Sequence, residues 1–248
     1  MIQYQKQNNM FFSTLINGGS VFSGYTERSV GDGRHADVIL SYLRINQVIF
    51  KKLVLLEQIH SSNIVFFKNE NMSEIERLPE VDGVVSSDRQ IVFAIRTADC
   101  IPILYKDAAT GLIGISHNGW RGTFKKISQH ILDEMVKRGS DMSQIRVAIG
   151  PGIGSCCYDI EEDRHIEFLE EFGEDFHSFP MRGGRRYLNL LKLNVALLIR
   201  AGLPLSNIDF FPFCTSCHKE KFFSFRRDYK KHHDQFGEMF SFIINNEG

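Results

Sequence analysis

The stretch 90–120, "QIVFAIRTADCIPILYKDAATGLIGISHNGW", constrains the fold more than any other. Two runs rich in Ile and Val flank a short turn, Asp107–Gly111. Such a pattern predicts an antiparallel pair. With Asp107 paired near Leu112, partner numbers sum to about 219, and Cys100 stands opposite Gly119. His117 is then two residues along on the same face, a diagonal of roughly 7–8 Å. A register one residue different turns the two to opposite faces. Pro102 cannot donate to a ladder, so a kink is expected near it.

The remaining pattern mixes strands and helices. Strand-like runs are 52–60 and 63–67, around a Ser61-Ser62 turn, then 81–87, 144–150, 221–225 and 238–244. Helical spacing marks 38–45, 123–139, 161–173 and 189–202, with Asn189 as N-cap and Gly139 and Gly202 closing two of them. The order is not a strict strand–helix alternation. It predicts an α+β fold with mixed sheets rather than a doubly wound one. No repeat, low-complexity tract or linker breaks the chain, so residues 1–248 are read as a single domain.

A chain of 248 residues buries enough core to fold without disulfides or metal. Its formal net charge of -1 provides no general attraction to nucleic acid or anionic membrane. No apolar run approaches the ~18–20 residues of a bilayer span, and the N-terminus does not read as a signal peptide. The expected location is the cytoplasm. There the five cysteines point to metal binding, catalysis or burial rather than to disulfides.

His60 ends the first strand run, before the Ser-Ser turn, where its ring can sit at a sheet edge with Cys100 and His117. A His/Cys/His set suits Zn²⁺ with a fourth position open, as in catalytic zinc sites. Buried core cysteine and surface histidine are the plain alternatives. In "SHNGWRG" (116–122), two glycines flank Trp120-Arg121 between strand and helix. Close backbone approach is expected at those glycines, and Arg121 is the candidate for phosphate or carboxylate; burial of Trp120 with a paired Arg121 is the alternative.

Three other motifs carry less. "IGPGIGSCCYDI" (149–160) has Ser155 where a dinucleotide fingerprint needs glycine. "SFRRDYKKHHDQF" (224–236) is basic and aromatic, but the chain's near-neutral charge favours a solvated turn over nucleic acid. Cys214-Thr215-Ser216-Cys217-His218 has the spacing of a haem or zinc motif.

Taken together, "EQIHSSNIV", "VDGVVSS", "TADCIPILYKD", "GISHNGWRGTFKKI", "IGPGIGSCCYDI", "LNLLKLNVALLIRAGL" and "CTSCHKEKFFSFRRD" resemble the laccase-domain family. Its members were first called polyphenol oxidases and are now described as purine nucleoside phosphorylases with adenosine deaminase activity. The resemblance runs from about Gly18 to the C-terminus. It implies packed mixed sheets with helices outside, in α-β-β-α layers. It also implies zinc, more than copper, on His60, Cys100 and His117, with nucleosides and phosphate as substrates: adenosine, inosine, guanosine and methylthioadenosine. In this family "CT" and "FFSYRRD" recur while the positions of Cys217 and His218 vary. Cys214 then reads as packing, the C-x-x-C-H spacing as incidental, and Arg226 or Arg227 as structural or substrate-edge groups.

The chain departs from the family pattern in three places. Glu27-Arg28 stands where Asn-Leu is usual. Ser41-Tyr42, with Arg44 two residues late, replaces an Asn-Arg pair whose Arg is associated with the substrate pocket. Asn118 replaces Ala beside His117. Glu57 and Asp99 are the candidate general acid/base groups, although a strand at 99–100 would turn Asp99 away from Cys100. Rival functions are a cysteine hydrolase built on Cys100 and His117, a hydrolase of a cell-wall precursor amide, a copper oxidase, and a non-enzymatic binding protein.

Overall fold

The computed structural model describes residues 1–173, 180–232 and 236–246. The chain opens with β1 (Ile2–Gln5), β2 (Met10–Ser13), β3 (Val21–Thr26) and α1 (Ala36–Ile45). Then come β4 (Lys52–Glu57), β5 (Ile64–Phe67), β6 (Ile75–Pro79), β7 (Gly83–Ser86), β8 (Ile91–Thr97), β9 (Ile101–Lys106) and β10 (Ile113–Asn118). Helices α2 (Trp120–Phe124) and α3 (Ile127–Lys137) precede β11 (Arg146–Ile149), β12 (Asp159–Ile160) and α4 (Glu162–Phe172). The rest is β13 (Met181–Arg182), β14 (Arg185–Tyr187), α5 (Leu190–Arg200), β15 (Ile208–Phe210), α6 (Phe225–His232) and β16 (Met239–Asn245).

One mixed sheet has the order β1-β2-β3-β16-β8-β4-β6, and a second has β15-β11-β9-β10-β7-β5. Strand alternation explains why they stack. In β4, Val54 and Leu56 face the second sheet while Leu53 and Leu55 face α1. In β8, Phe93 and Ile95 face inward while Val92 and Ala94 meet Leu40 and Leu43 of α1. In β9, Leu104 enters the inter-sheet core, and Ile103 and Tyr105 enter a third cluster with α3, α4 and α5. Strands buried on both faces need nearly continuous apolar sequence. The result is the expected α-β-β-α layering.

The hairpin register is the expected one. Ile113 pairs with Lys106 and Asn118 with Ile101, a sum of 219 throughout. The break in the long run 90–107 does not fall at Pro102. It falls at Ala98–Cys100, where Asp99 adopts φ 89° and the chain leaves the first sheet for the second. Pro102 stays in β9 because its carbonyl, which accepts from Gly150 N (2.8 Å), and its missing N–H face the side where β11 has already ended at Ile149.

Three other expectations are corrected. The first strand run ends at Glu57 rather than at residue 60, and the chain then crosses sheets: β4 and β5 belong to different sheets, each with parallel neighbours. The 123–139 helix is two, split where Lys126 takes φ 58°. The 221–225 run is not a strand but leads into α6. Ser224 Oγ accepts from Arg227 N (3.2 Å), and Asp228 accepts from Ser224 N (3.1 Å), so the two side chains cap that helix. Asn189 does cap α5, accepting from Lys192 N at 3.0 Å.

Asn118 points away from His117 into the α3–α5 layer. It accepts from Ser116 Oγ (2.6 Å) and donates to Ser128 Oγ (2.7 Å) and Asn194 Oδ1 (2.9 Å). All four residues are buried. The departure from Ala therefore built a satisfied polar network behind the hairpin. Asn118→Ala strands these partners and should cost about 1–3 kcal/mol of stability. An unchanged urea midpoint would contradict this.

Candidate functional site

The site forms where the chain changes sheets. After β4 the segment 58–63 crosses to β5, and after β8 the segment 98–100 crosses to β9. His60 lies on the first crossing with φ 60°, Cys100 on the second, and His117 near the end of β10. Their ligand atoms all lie within 4.8 Å of one another. The two imidazole rings meet edge to face, 4.8 Å between centroids. Gly119 makes room: a Cβ there would lie 2.9 Å from Cys100 Sγ and 3.1 Å from the His60 ring. A Cβ on Gly122 would lie 3.0 Å from the Ser61 carbonyl. Both glycines of "GWRG" thus permit the expected close approach.

Asp82, fully buried just before β7, ties the parts together. It accepts from the backbone N–H groups of Ile59 (3.2 Å), His60 (3.1 Å) and Ser61 (2.7 Å) and from Ser61 Oγ (2.6 Å). It also meets His117 Nδ1 at 2.8 Å, and its own carbonyl accepts from His117 N. An ionised Asp82 requires a proton on Nδ1, which leaves Nε2 for the cluster. Burial pushes the Asp82 carboxyl up, but hydrogen bonds from His117 and Ser61 outweigh it and hold it at about 2. Asp82 sits in "VDGVVSS", where nothing local in the sequence marks it as a site residue.

Burial likewise pushes the Cys100 thiol up, but the His117 charge and hydrogen bonds from both histidines outweigh it and bring it down to about 7. For His117, burial lowers the pKa, while Cys100 and Asp82 raise it to about 9. The two shifts favour an ion pair of thiolate and imidazolium, formed as pH rises through about 7.

The cluster opens on a cavity of 490 Å³. Trp120, Tyr158, Phe225 and Phe236 line it, with Arg96, Arg121, Arg164 and Arg226. Arg121 is exposed, its guanidinium 4.6 Å from the Trp120 ring centroid. Arg164 lies over the same ring at 4.1 Å, and its buried Nε has no hydrogen-bond partner among the described residues. Arg226 pairs with Asp159, while Arg227 donates to the carbonyls of Thr215, Ser216 and Phe222. The first is thus at the cavity edge and the second holds a loop.

Neither expected acid/base group is free in the cavity. Glu57 is exposed at the end of β4 and does not line it. Asp99 does line it, but accepts from Thr215 Oγ1 (2.6 Å), Ser224 Oγ (3.0 Å) and Arg226 N (2.7 Å). The cavity's other carboxylate is Glu238, 3.8 Å from Arg96. The altered 41–44 region is absent from the lining: Tyr42 packs on Phe240, and Arg44 pairs with Glu74. Glu27, buried, bonds Tyr4 and Lys221. Of the basic segment 224–236, residues 233–235 lie outside the described residues.

The model of the multi-copper polyphenol oxidoreductase laccase family matches residues 14–246. The chain belongs to that family. It is 30% identical to adenosine deaminase RL5 of an unknown prokaryotic organism, over 92% of this chain and 94% of that one. It is 33% identical to purine nucleoside phosphorylase YlmD of Geobacillus stearothermophilus, over 88% and 82%. The crystal structure of YlmD from Geobacillus stearothermophilus superposes with TM-score 0.83 at 26% identity, over 99% of each chain. That of the Bacillus licheniformis hypothetical protein YfiH gives 0.85 at 27%, over 96% of each. No helix of this family member, among the described residues, is long and apolar enough to cross a membrane.

The ion pair predicts a titration. In metal-stripped protein, peptide-resolved iodoacetamide labelling of Cys100 should rise through about pH 7. In His117→Ala the midpoint should move up toward that of an ordinary thiol. A midpoint indifferent to that change would contradict the pairing.

Proposed function

We propose that this chain is a zinc-dependent purine nucleoside phosphorylase that also deaminates adenosine. The observation that carries the reading is the convergence of His60, Cys100 and His117 on a cavity lined by aromatic faces and arginines. The donor set fits the metal. A thiolate and two imidazoles are ordinary zinc ligands, and Asp82 orients one imidazole as carboxylates do in such sites. Among the described residues no second histidine cluster accompanies the trio, which favours zinc over a multicopper set.

His60, Cys100 and His117 would hold the ion, which when bound supplies Lewis-acid chemistry at an oxygen. The other roles belong to the chain. Tyr158 and Phe225 offer aromatic surface to a purine, while Trp120 carries the two arginines. Arg121 and Arg164 stand free of ion pairs among the described residues and receive the phosphate, their planar donors matching its oxygens. Phosphate then attacks C1′ of the ribose as the bond to the purine nitrogen breaks. Glu238, the carboxylate on the cavity wall beside Arg96, is available to accept a hydrogen bond from the purine. In deamination, water replaces the amino group at C6 and ammonia leaves. One relative named adenosine deaminase and another named purine nucleoside phosphorylase support the choice of these two activities.

One observation favours a second reading. The Cys100 thiolate beside His117 is the nucleophile–base pair of a cysteine hydrolase. A dyad does not need His60, whereas a metal site does.

Chromatography of adenosine incubated with zinc-loaded protein, with and without phosphate, separates these readings. Adenine formed only with phosphate, and lost in His117→Ala, is the expected result. No product from any purine nucleoside would overturn the proposal. Arg164→Ala should raise the phosphate KM by roughly 10–100-fold, the value of one charged hydrogen bond. Asp82→Asn should weaken zinc binding by roughly 10–100-fold. Unchanged zinc affinity in Asp82→Asn would contradict the positioning role.

A further inference from the structure

Four of the five cysteines take no part in the site above. They come from two loops far apart in sequence, Cys156-Cys157 and Cys214-x-x-Cys217. The C-x-x-C spacing looked incidental in the sequence. In the fold the four sulfurs lie within 4.8 Å of one another. We propose that Cys156, Cys157, Cys214 and Cys217 form a second metal site, a tetrathiolate centre for zinc that fastens one wall of the cavity.

The geometry fits a shared centre better than crosslinks. Cys217 Sγ lies 3.4 Å from both Cys156 Sγ and Cys157 Sγ. A disulfide joins one sulfur to one other at about 2.0 Å, so Cys217 cannot satisfy both neighbours that way. Zinc–sulfur bonds of about 2.3 Å in a tetrahedron set sulfurs about 3.8 Å apart, close to the spacing found. Four thiolates in tetrahedral array select zinc or iron–sulfur chemistry, and a single ion suits this one compact cluster.

The backbone is arranged for it. Gly152 pairs with Cys214 in a parallel bridge, and Thr215 N donates to the Gly152 carbonyl at 3.0 Å. Cys157 N and Tyr158 N both donate to the Gly154 carbonyl, curling that loop over the cluster. A Cβ on Gly154 would lie 3.1 Å from Cys214 Cβ and 3.2 Å from Cys156 Sγ, so glycine permits the approach. Cys214 is buried, whereas Cys156 and Cys217 are exposed, which gives an ion a route in.

The consequence reaches the cavity. The first loop continues into Tyr158, which lines the cavity, and Asp159, which holds Arg226. Thr215 of the second loop donates to Asp99, beside Cys100. An ion joining the loops fixes these groups together. It is a positioning centre and touches no substrate.

The test titrates metal alone. Zinc-loaded, desalted wild type should carry two equivalents per chain, and mercurial titration should release them in two classes. In a His60→Ala, His117→Ala double variant, added Co²⁺ should give the intense thiolate-to-cobalt absorption of a tetrathiolate. That signal should vanish in the same background with Cys217→Ser. Because the first site is disabled there, failure of the nucleoside reading would leave this result untouched. A wild type that binds one equivalent, lost with His117 alone, would overturn the proposal. So would formation of disulfides among the four cysteines with no metal uptake under reducing conditions. The wild-type stoichiometry decides even if a variant fails to fold.

Discussion

The buried carboxylate of Asp82 is the constraint on which the site depends. It is fully buried, so its oxygens must be met by hydrogen bonds inside the protein. Three consecutive backbone N–H groups, a hydroxyl and an imidazole meet it. Satisfying one side chain therefore fixes the crossing that carries His60, its left-handed turn included, and the tautomer of His117. Two of the three cluster residues are placed by one charge. The third, Cys100, is placed by the hairpin register and by the glycine opposite it.

The site occupies the place where two of the crossings between sheets, β4 to β5 and β8 to β9, come together. His117 comes from the regular strand β10, whereas His60 and Cys100 come from crossing chain, which is free of ladder pairing and turns toward it. Asp99 shows the cost and its settlement: a non-glycine residue at φ 89° is held by three hydrogen bonds from the C-terminal segment. That segment in turn carries Phe225 and Arg226 into the cavity. The closing region of the chain and its middle are thereby parts of one structure.

Much of this was legible beforehand. The turn at 107–111 fixed a register that holds along the whole hairpin, and Cys100, one residue before β9, meets His117 near the hairpin's open end. What escaped the sequence was non-local. Period-two patterning marks β4 and β5 as strands but cannot say that they enter different sheets. Asp82 looks like an ordinary turn acid until the fold buries it. Arg164 belongs to an unremarkable acidic helix, and only its stacking on Trp120 brings it to the cavity. The run 221–225 read as a strand because its aromatics outweighed a capping pair spaced four residues apart. The cysteines at 156–157 and 214–217 are separated by more than fifty residues, and no local pattern links them.

X-ray absorption at the zinc edge tests the central claim most directly, on zinc-loaded protein carrying Cys156→Ser and Cys217→Ser so that one site is read alone. The account predicts one sulfur at about 2.3 Å with imidazole nitrogens at about 2.0–2.1 Å. A shell of oxygen and nitrogen without sulfur would contradict it.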